Sequence, residues 1–307
     1  MTRTDSSNRG PTPPRWLMLA VGVLLTLVWG TSWGMISIGL KAGLPPFTGS
    51  ALRFVLAGAV MVGAAVVLGH PLWSRDKVER RVLWANAVGS FVISYGAVYW
   101  AQQFVPSGLA SVIFASFPLF MALLAHFFLA GERMGPGGLV GVVLGFAGIA
   151  VIFADDLSMG DDPRAQLAIT VLLLAPIASA VADLAIKGWG GGLHPITLSA
   201  VPMSAGAGAL VAMALVWERP VEIPVTLPAL GSMVYLALLA TALNFGLYFW
   251  LLRHAPATKV SMLAYTIPVV AVIFGVTVLG EPWSGQMVVG TVAVIAGVAL
   301  SSFSQRH

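Results

Sequence analysis

The side chains here that could do chemistry are mostly neutral. Tyr95 and Tyr99 stand four apart, with Gln102 a turn further on, and Asn86, Ser90 and Ser94 form a second stripe at helical spacing. Thr241, Asn244 and Tyr248 follow the same kind of pattern, and Ser261, Tyr265 and Thr266 cluster around Pro268. Phenols, hydroxyls and amides of this kind hold a small molecule by hydrogen bonds rather than break its bonds. Trp29 and Trp33 add two indoles inside an apolar stretch. Pro118 and Pro268 each remove one backbone hydrogen bond and free a carbonyl a turn earlier, near Phe114 and Ala264. In lipid a freed carbonyl must find a partner or line a cavity. Trp100 and Trp250 fall near opposite ends of their stretches, where a pair could gate or simply anchor. Ionisable groups are few: Asp183 and Lys187, four apart, read as a pair snorkelling to the surface, and His126 as a lone satisfied histidine. No carboxylate lies deep enough in an apolar stretch to be an obvious proton carrier.

Bond-making chemistry finds little support. The acidic pairs Asp155-Asp156 and Asp161-Asp162 suggest the Mg²⁺-diphosphate site of an intramembrane prenyltransferase-like enzyme, the alternative reading kept here. Such a site needs carboxylates one turn apart on a helix, and Gly160 and Pro163 place these in a loop. There is no HExxH motif, no Walker A loop and no cysteine. The expectation is a protein that is not an enzyme, with no catalytic residue, metal or cofactor.

These residues sit in a chain that is 58% hydrophobic and only 9% charged over 307 residues, with mean hydropathy +0.91. A soluble domain carries about 25% charged residues, so a soluble enzyme, a disordered chain and a nucleic-acid binder are excluded. Ten apolar stretches are each long enough to cross the bilayer, at roughly 16–40, 47–69, 81–103, 107–130, 136–154, 165–188, 195–217, 228–252, 256–280 and 283–303. The partner of such a chain is the lipid bilayer. With the N-terminus in the cytoplasm, Arg3, Arg9, Arg15, Arg75, Lys77, Arg80, Arg81, Arg133, Lys187, Arg253, Lys259 and Arg306 lie inside, and only Lys41, Arg164 and Arg219 outside. That asymmetry places both termini in the cytoplasm, and fits a bacterial inner membrane.

The two halves resemble each other at an offset of about 149–150 residues. Pro46, Thr48, Ser50 and Ala51 meet Pro195, Thr197, Ser199 and Ala200; Gly96 meets Gly246, Trp100 meets Trp250, Pro106 meets Pro256 and Ser111 meets Ser261. Pro118 meets Pro268, Gly131-Glu132 meets Gly280-Glu281, and Gly141 and Gly148 meet Gly290 and Gly297. Five spans per half is odd, so the second half enters the membrane upside down. The predicted fold is therefore an all-α integral membrane protein of ten transmembrane helices in two inverted five-helix repeats. The parts are a tail (1–15), a first repeat (16–154), an external linker (155–164), a second repeat (165–303) and a tail (304–307). Inverted repeats mark secondary transporters with a substrate site between the halves near the midplane. They also occur in some channels, from which saturable counterflow would separate a carrier. Gly137, Gly141 and Gly145, and Gly290, Ala293 and Gly297, form small-residue faces that suit scaffold contact or a dimer surface, leaving monomer or homodimer open.

The chain resembles the drug/metabolite transporter superfamily, in its ten-span EamA form. The resemblance rests on Trp29-Gly30-Thr31-Ser32-Trp33, Pro45-Pro46 and Arg53-Phe54, and on a run from Tyr99 through Pro106, Ala110-Ser111, Pro118-Leu119 and Gly131-Glu132-Arg133 to Gly141 and Gly148. It covers about residues 16–303, and departs at Ala175-Pro176-Ile177-Ala178, where the family often has an aromatic-led start. It implies a central cavity enclosed by spans 1, 3, 4, 6, 8 and 9, and a likeness to exporters of amino acids and related metabolites. On that basis Trp33, Asn86, Tyr95, Tyr99, Asn244, Tyr248 and Tyr265 are the expected substrate contacts, Pro118 and Pro268 the hinges, Trp100 and Trp250 the possible gates, and Asp183, Lys187 and His126 the possible coupling groups. Arg53 is expected in a structural salt bridge or carbonyl clamp. A phosphorylated substrate would want clustered cations, so small neutral or zwitterionic metabolites fit better than nucleotide sugars; a carrier for drugs or sugars is the other alternative.

Overall fold

The structure, a computed structural model, describes residues 13–129, 134–159, 163–254 and 263–304; within these, the side chains of 153–159, 249, 252, 253, 264, 265 and 302–304 are left out. The described residues form ten helical segments and no strand. They are α1 (Arg15–Lys41), α2 (Pro46–Val67), α3 (Lys77–Ala101), α4 (Ser107–Phe128), α5 (Pro136–Met159), α6 (Pro163–Trp189), α7 (Pro195–Trp217), α8 (227–254), α9 (Leu263–Leu279) and α10 (Gly285–Ser304). Among the described residues seven segments are long and apolar enough to span a bilayer, and α5, α9 and α10 contain shorter apolar stretches. Valines and leucines such as Val67 (85% exposed) lie on the outer faces, where lipid takes the place of a core.

Chain chemistry sets the helix ends. Pro46 and Pro195, repeat partners, open α2 and α7, where the missing N–H costs nothing. Asp76 starts α3 four residues earlier than expected, accepting from Val78 N at 2.5 Å and Glu79 N at 3.3 Å. Two caps come from far along the chain. Glu218, at the end of α7, accepts from Phe47 N (2.6 Å), Thr48 N (2.8 Å) and Thr48 Oγ1 (2.7 Å). Glu281 accepts from Ser107 N (2.9 Å) and Gly108 N (3.0 Å) at the start of α4. Its repeat partner Glu132 lies outside the described residues. Helix extends into the expected linker 155–164: α5 runs through Asp155 and Asp156 to Met159, and α6 begins at Pro163.

Packing follows the repeat. α2 packs on α7 and α5 on α10, each helix against its own repeat partner; α1 packs on α9 as α6 packs on the second half of α4. Two such sets related by a pseudo-two-fold axis are what inverted halves produce. Glycine makes the α5–α10 seam possible. A Cβ at Gly141 would lie 2.5 Å from Ser301 N, and one at Gly148 would lie 2.7 Å from Gly290 O. The small-residue faces of α5 and α10 thus meet each other within one chain.

Two segments of π-helix interrupt the bundle, Ala87–Ser94 in α3 and Tyr235–Leu243 in α8. They fall at the same place in the two halves. Wide turns leave carbonyls short of helical partners. In α8 these are met by Trp29 Nε1, which donates to Ala240 O at 3.0 Å, and by Thr241 Oγ1, which donates to Leu236 O at 2.7 Å.

Candidate functional site

The aromatic residues of α1 face the centre of the bundle. The Trp29 ring lies 5.5 Å from Tyr248 and 6.0 Å from Phe245, both on α8. One turn along, Trp33 lies 5.5 Å from Phe114 of α4. Between them Thr31 Oγ1 meets Tyr235 Oη at 2.6 Å. Asp183, half-buried on α6, is an electrostatic neighbour of Tyr248 on α8. Lys187, four residues on, is exposed near the end of α6.

A second cluster fills the seam of α2, α3 and α8. Arg53 is 2% exposed; its Nε donates to Thr241 Oγ1 at 2.9 Å, and Cζ sits 4.9 Å from the Tyr95 ring centroid and 5.4 Å from that of Phe54. Tyr99, also fully buried, neighbours the guanidinium, yet its Oη makes no hydrogen bond. Asn244, one turn beyond Thr241, donates through Nδ2 to Leu25 O at 3.4 Å, and its Oδ1 has no partner. The expected salt bridge of Arg53 is not what the described residues provide: its electrostatic neighbours are the two tyrosines.

Of the expected contacts, Trp33, Tyr95, Tyr99, Asn244 and Tyr248 fall in these two clusters. Asn86 does not. It is 6% exposed, and its Nδ2 donates to Leu198 O at 2.9 Å, tying α3 to α7. Tyr265 lies in α9, but its side chain is outside the described residues. The two prolines are not equivalent hinges. At Pro118 the helix is broken, the first half of α4 ending at Phe114 and the second starting at Phe117. Pro268 sits inside an unbroken α9. Trp100 lines an open cavity of about 500 Å³ with Phe47, Met213, Trp217 and Glu218. Trp250 instead packs beside Val21, Leu25, Leu251 and Leu263. His126 Nδ1 accepts from Met134 N at 2.9 Å, a local loop contact. Asp155 and Asp156 belong to a helix rather than a loop, and Asp161 and Asp162 lie outside the described residues. Sequence reasoning passed over Tyr235, left Trp29 out of the expected contacts and gave Arg53 a structural role only. The four-residue spacing of Trp29 and Trp33 was the available signal.

Ten apolar helices in two repeats, with an aromatic and hydroxyl-lined centre, define a multi-pass membrane transporter. The chain belongs to the EamA-like transporter family of the drug/metabolite transporter superfamily, whose model matches residues 15–154 and 166–303. It is 26% identical over 291 residues to the uncharacterized transporter YoaV of Bacillus subtilis (strain 168), covering 94% of this chain and 97% of that one. It is 27% identical over 279 residues to the uncharacterized inner membrane transporter YedA of Escherichia coli (strain K12), covering 88% and 86%. A solved crystal structure aligns with TM-score 0.66 at 22% identity over 95% of this chain and 99% of that one, which shows a shared fold.

Proposed function

We propose that this transporter is a secondary carrier that exports small neutral or zwitterionic metabolites, foremost amino acids with aromatic or other apolar side chains. It works by alternating access across the bacterial inner membrane with both termini in the cytoplasm. The observation that carries the reading is the composition of the centre: Trp29, Trp33, Phe114, Tyr235 and Tyr248 supply apolar faces and hydroxyls, and Asp183 and Arg53, on separate helices, supply one charge of each sign. An apolar side chain stacks on such faces, and the polar end of a zwitterion has one group of each sign to meet.

The test is counterflow in proteoliposomes loaded in turn with phenylalanine, threonine, methionine, a sugar, a nucleotide sugar and a polyamine. The expected result is accumulation of labelled amino acid that saturates, and that Tyr99→Ala and Asn244→Ala reduce at least tenfold. Counterflow confined to phosphorylated or cationic compounds would sink the amino-acid reading. Flux that does not saturate would sink the carrier.

A further inference from the structure

A guanidinium buried at bilayer depth is ordinarily neutralised by a carboxylate. Arg53 is not, among the described residues. The described carboxylates on the side where α2 begins are engaged elsewhere or distant: Glu218 caps α2, Glu281 caps α4, and Glu222 is exposed between α7 and α8. Within the guanidinium, Nε is held by Thr241, and the Tyr99 hydroxyl stands beside the group. The Tyr95 and Phe54 rings hold the group by cation–π contact. Two further buried oxygens at the same seam lack partners. Tyr99 Oη neighbours the guanidinium, and Ser50 Oγ stands one turn before Arg53 on α2. The Tyr99 ring is close against α2, since a Cβ at Gly49 would lie 3.3 Å from its Cε1.

We propose that Arg53 is the receptor for the carboxylate of the transported molecule, gripped by Nη1 and Nη2 with Tyr99 Oη as a third donor. The planar fork matches a carboxylate in two parallel hydrogen bonds, which a spherical halide does not reproduce, and a phosphate dianion would call for a second cation that the described cluster lacks. Low dielectric strengthens each of these bonds. The substrate therefore acts as the counter-ion of the α2–α3–α8 seam. Because Arg53 is closed off here, its engagement requires the seam to open, which couples binding to a change of state.

The choice of transported molecule rests on the carrier reading above; the binding test does not. Purified protein in detergent is titrated with phenylalanine, phenylpyruvate and phenethylamine, following tryptophan fluorescence and thermal stabilisation. Phenylalanine and phenylpyruvate carry the carboxylate, and phenethylamine does not. Both acids are expected to bind, and phenethylamine at least tenfold more weakly. Arg53→Gln and Arg53→Lys should weaken both acids tenfold or more while leaving phenethylamine unchanged, since lysine keeps the charge and loses the fork. Should Arg53→Gln fail to fold, Tyr99→Phe removes only the third donor and should weaken the acids several-fold. Binding of phenylpyruvate alone would keep the receptor and remove amino acids as substrates. Equal binding of all three probes, no binding of either acid, or acid affinities within twofold of wild type in Arg53→Lys and Tyr99→Phe would each overturn the proposal. Unchanged phenylalanine counterflow in Arg53→Lys would leave the carrier standing and take Arg53 out of it.

Discussion

Trp29 shows how a single side chain serves both the scaffold and the centre. Its ring faces Tyr248 and Phe245, while its N–H satisfies Ala240 O in a wide turn of α8. Trp29→Phe keeps a ring and removes the donor, leaving that carbonyl unpaired at a cost of about 1–3 kcal/mol. A lowered melting temperature is the expected outcome, read by thermal unfolding in detergent. Asp183 makes a different prediction. A half-buried carboxylate facing Tyr248 suits an ammonium group, so Asp183→Asn should raise the KM for phenylalanine and leave phenylpyruvate exchange little changed. If an imposed pH gradient drove uphill transport that Asp183→Asn abolished, Asp183 would be a proton carrier instead. The Tyr95 and Tyr99 stripe was legible because a four-residue spacing puts both on one helical face. For Arg53 a salt bridge or a carbonyl clamp was expected, and the described residues give it a hydroxyl and two aromatic rings, which spacing along the chain does not reveal.

Asn86 was misplaced for a reason that belongs to the helix rather than the residue. Spacing arguments assume 3.6 residues per turn throughout. The expected stripe Asn86, Ser90 and Ser94 runs into the π-helical segment Ala87–Ser94, whose wider turns do not keep the spacing that would put the three on one face. Nothing in AVGSFVIS or YLALLATAL announces such a turn, since both are ordinary apolar helical sequences. The spans themselves were readable because bilayer thickness dictates their length. At this scale the α5–α10 seam gives the sharpest prediction. Backbone lies 2.5–2.7 Å from a Cβ at Gly141 or Gly148, so Gly141→Leu should force the two helices apart and abolish monodisperse protein on size-exclusion chromatography. Gly63→Leu, where nothing lies within 4 Å of a Cβ, should be tolerated.

For the molecule as a whole, the chain offers a clean test of topology because it contains no cysteine. Val225, 84% exposed between α7 and α8, and Arg75, exposed before α3, lie at opposite ends of the bundle. With both termini in the cytoplasm, Val225→Cys should react with an impermeant maleimide added to intact cells, and Arg75→Cys only after permeabilisation. The reverse pattern would invert the topology. The repeat was legible because proline and glycine punctuate both halves at a constant offset, whereas the differing behaviour of Pro118 and Pro268 emerged only in three dimensions. The paired wide turns carry a message about history. A π turn holds an extra residue compared with the α turn it replaces, so in a helix of fixed span it is the footprint of a one-residue insertion. Ala87–Ser94 and Tyr235–Leu243 stand at matching positions in the two halves. The simplest descent is that a five-helix ancestor already carried this insertion before its gene was duplicated, and that both copies have kept it through their later divergence in sequence.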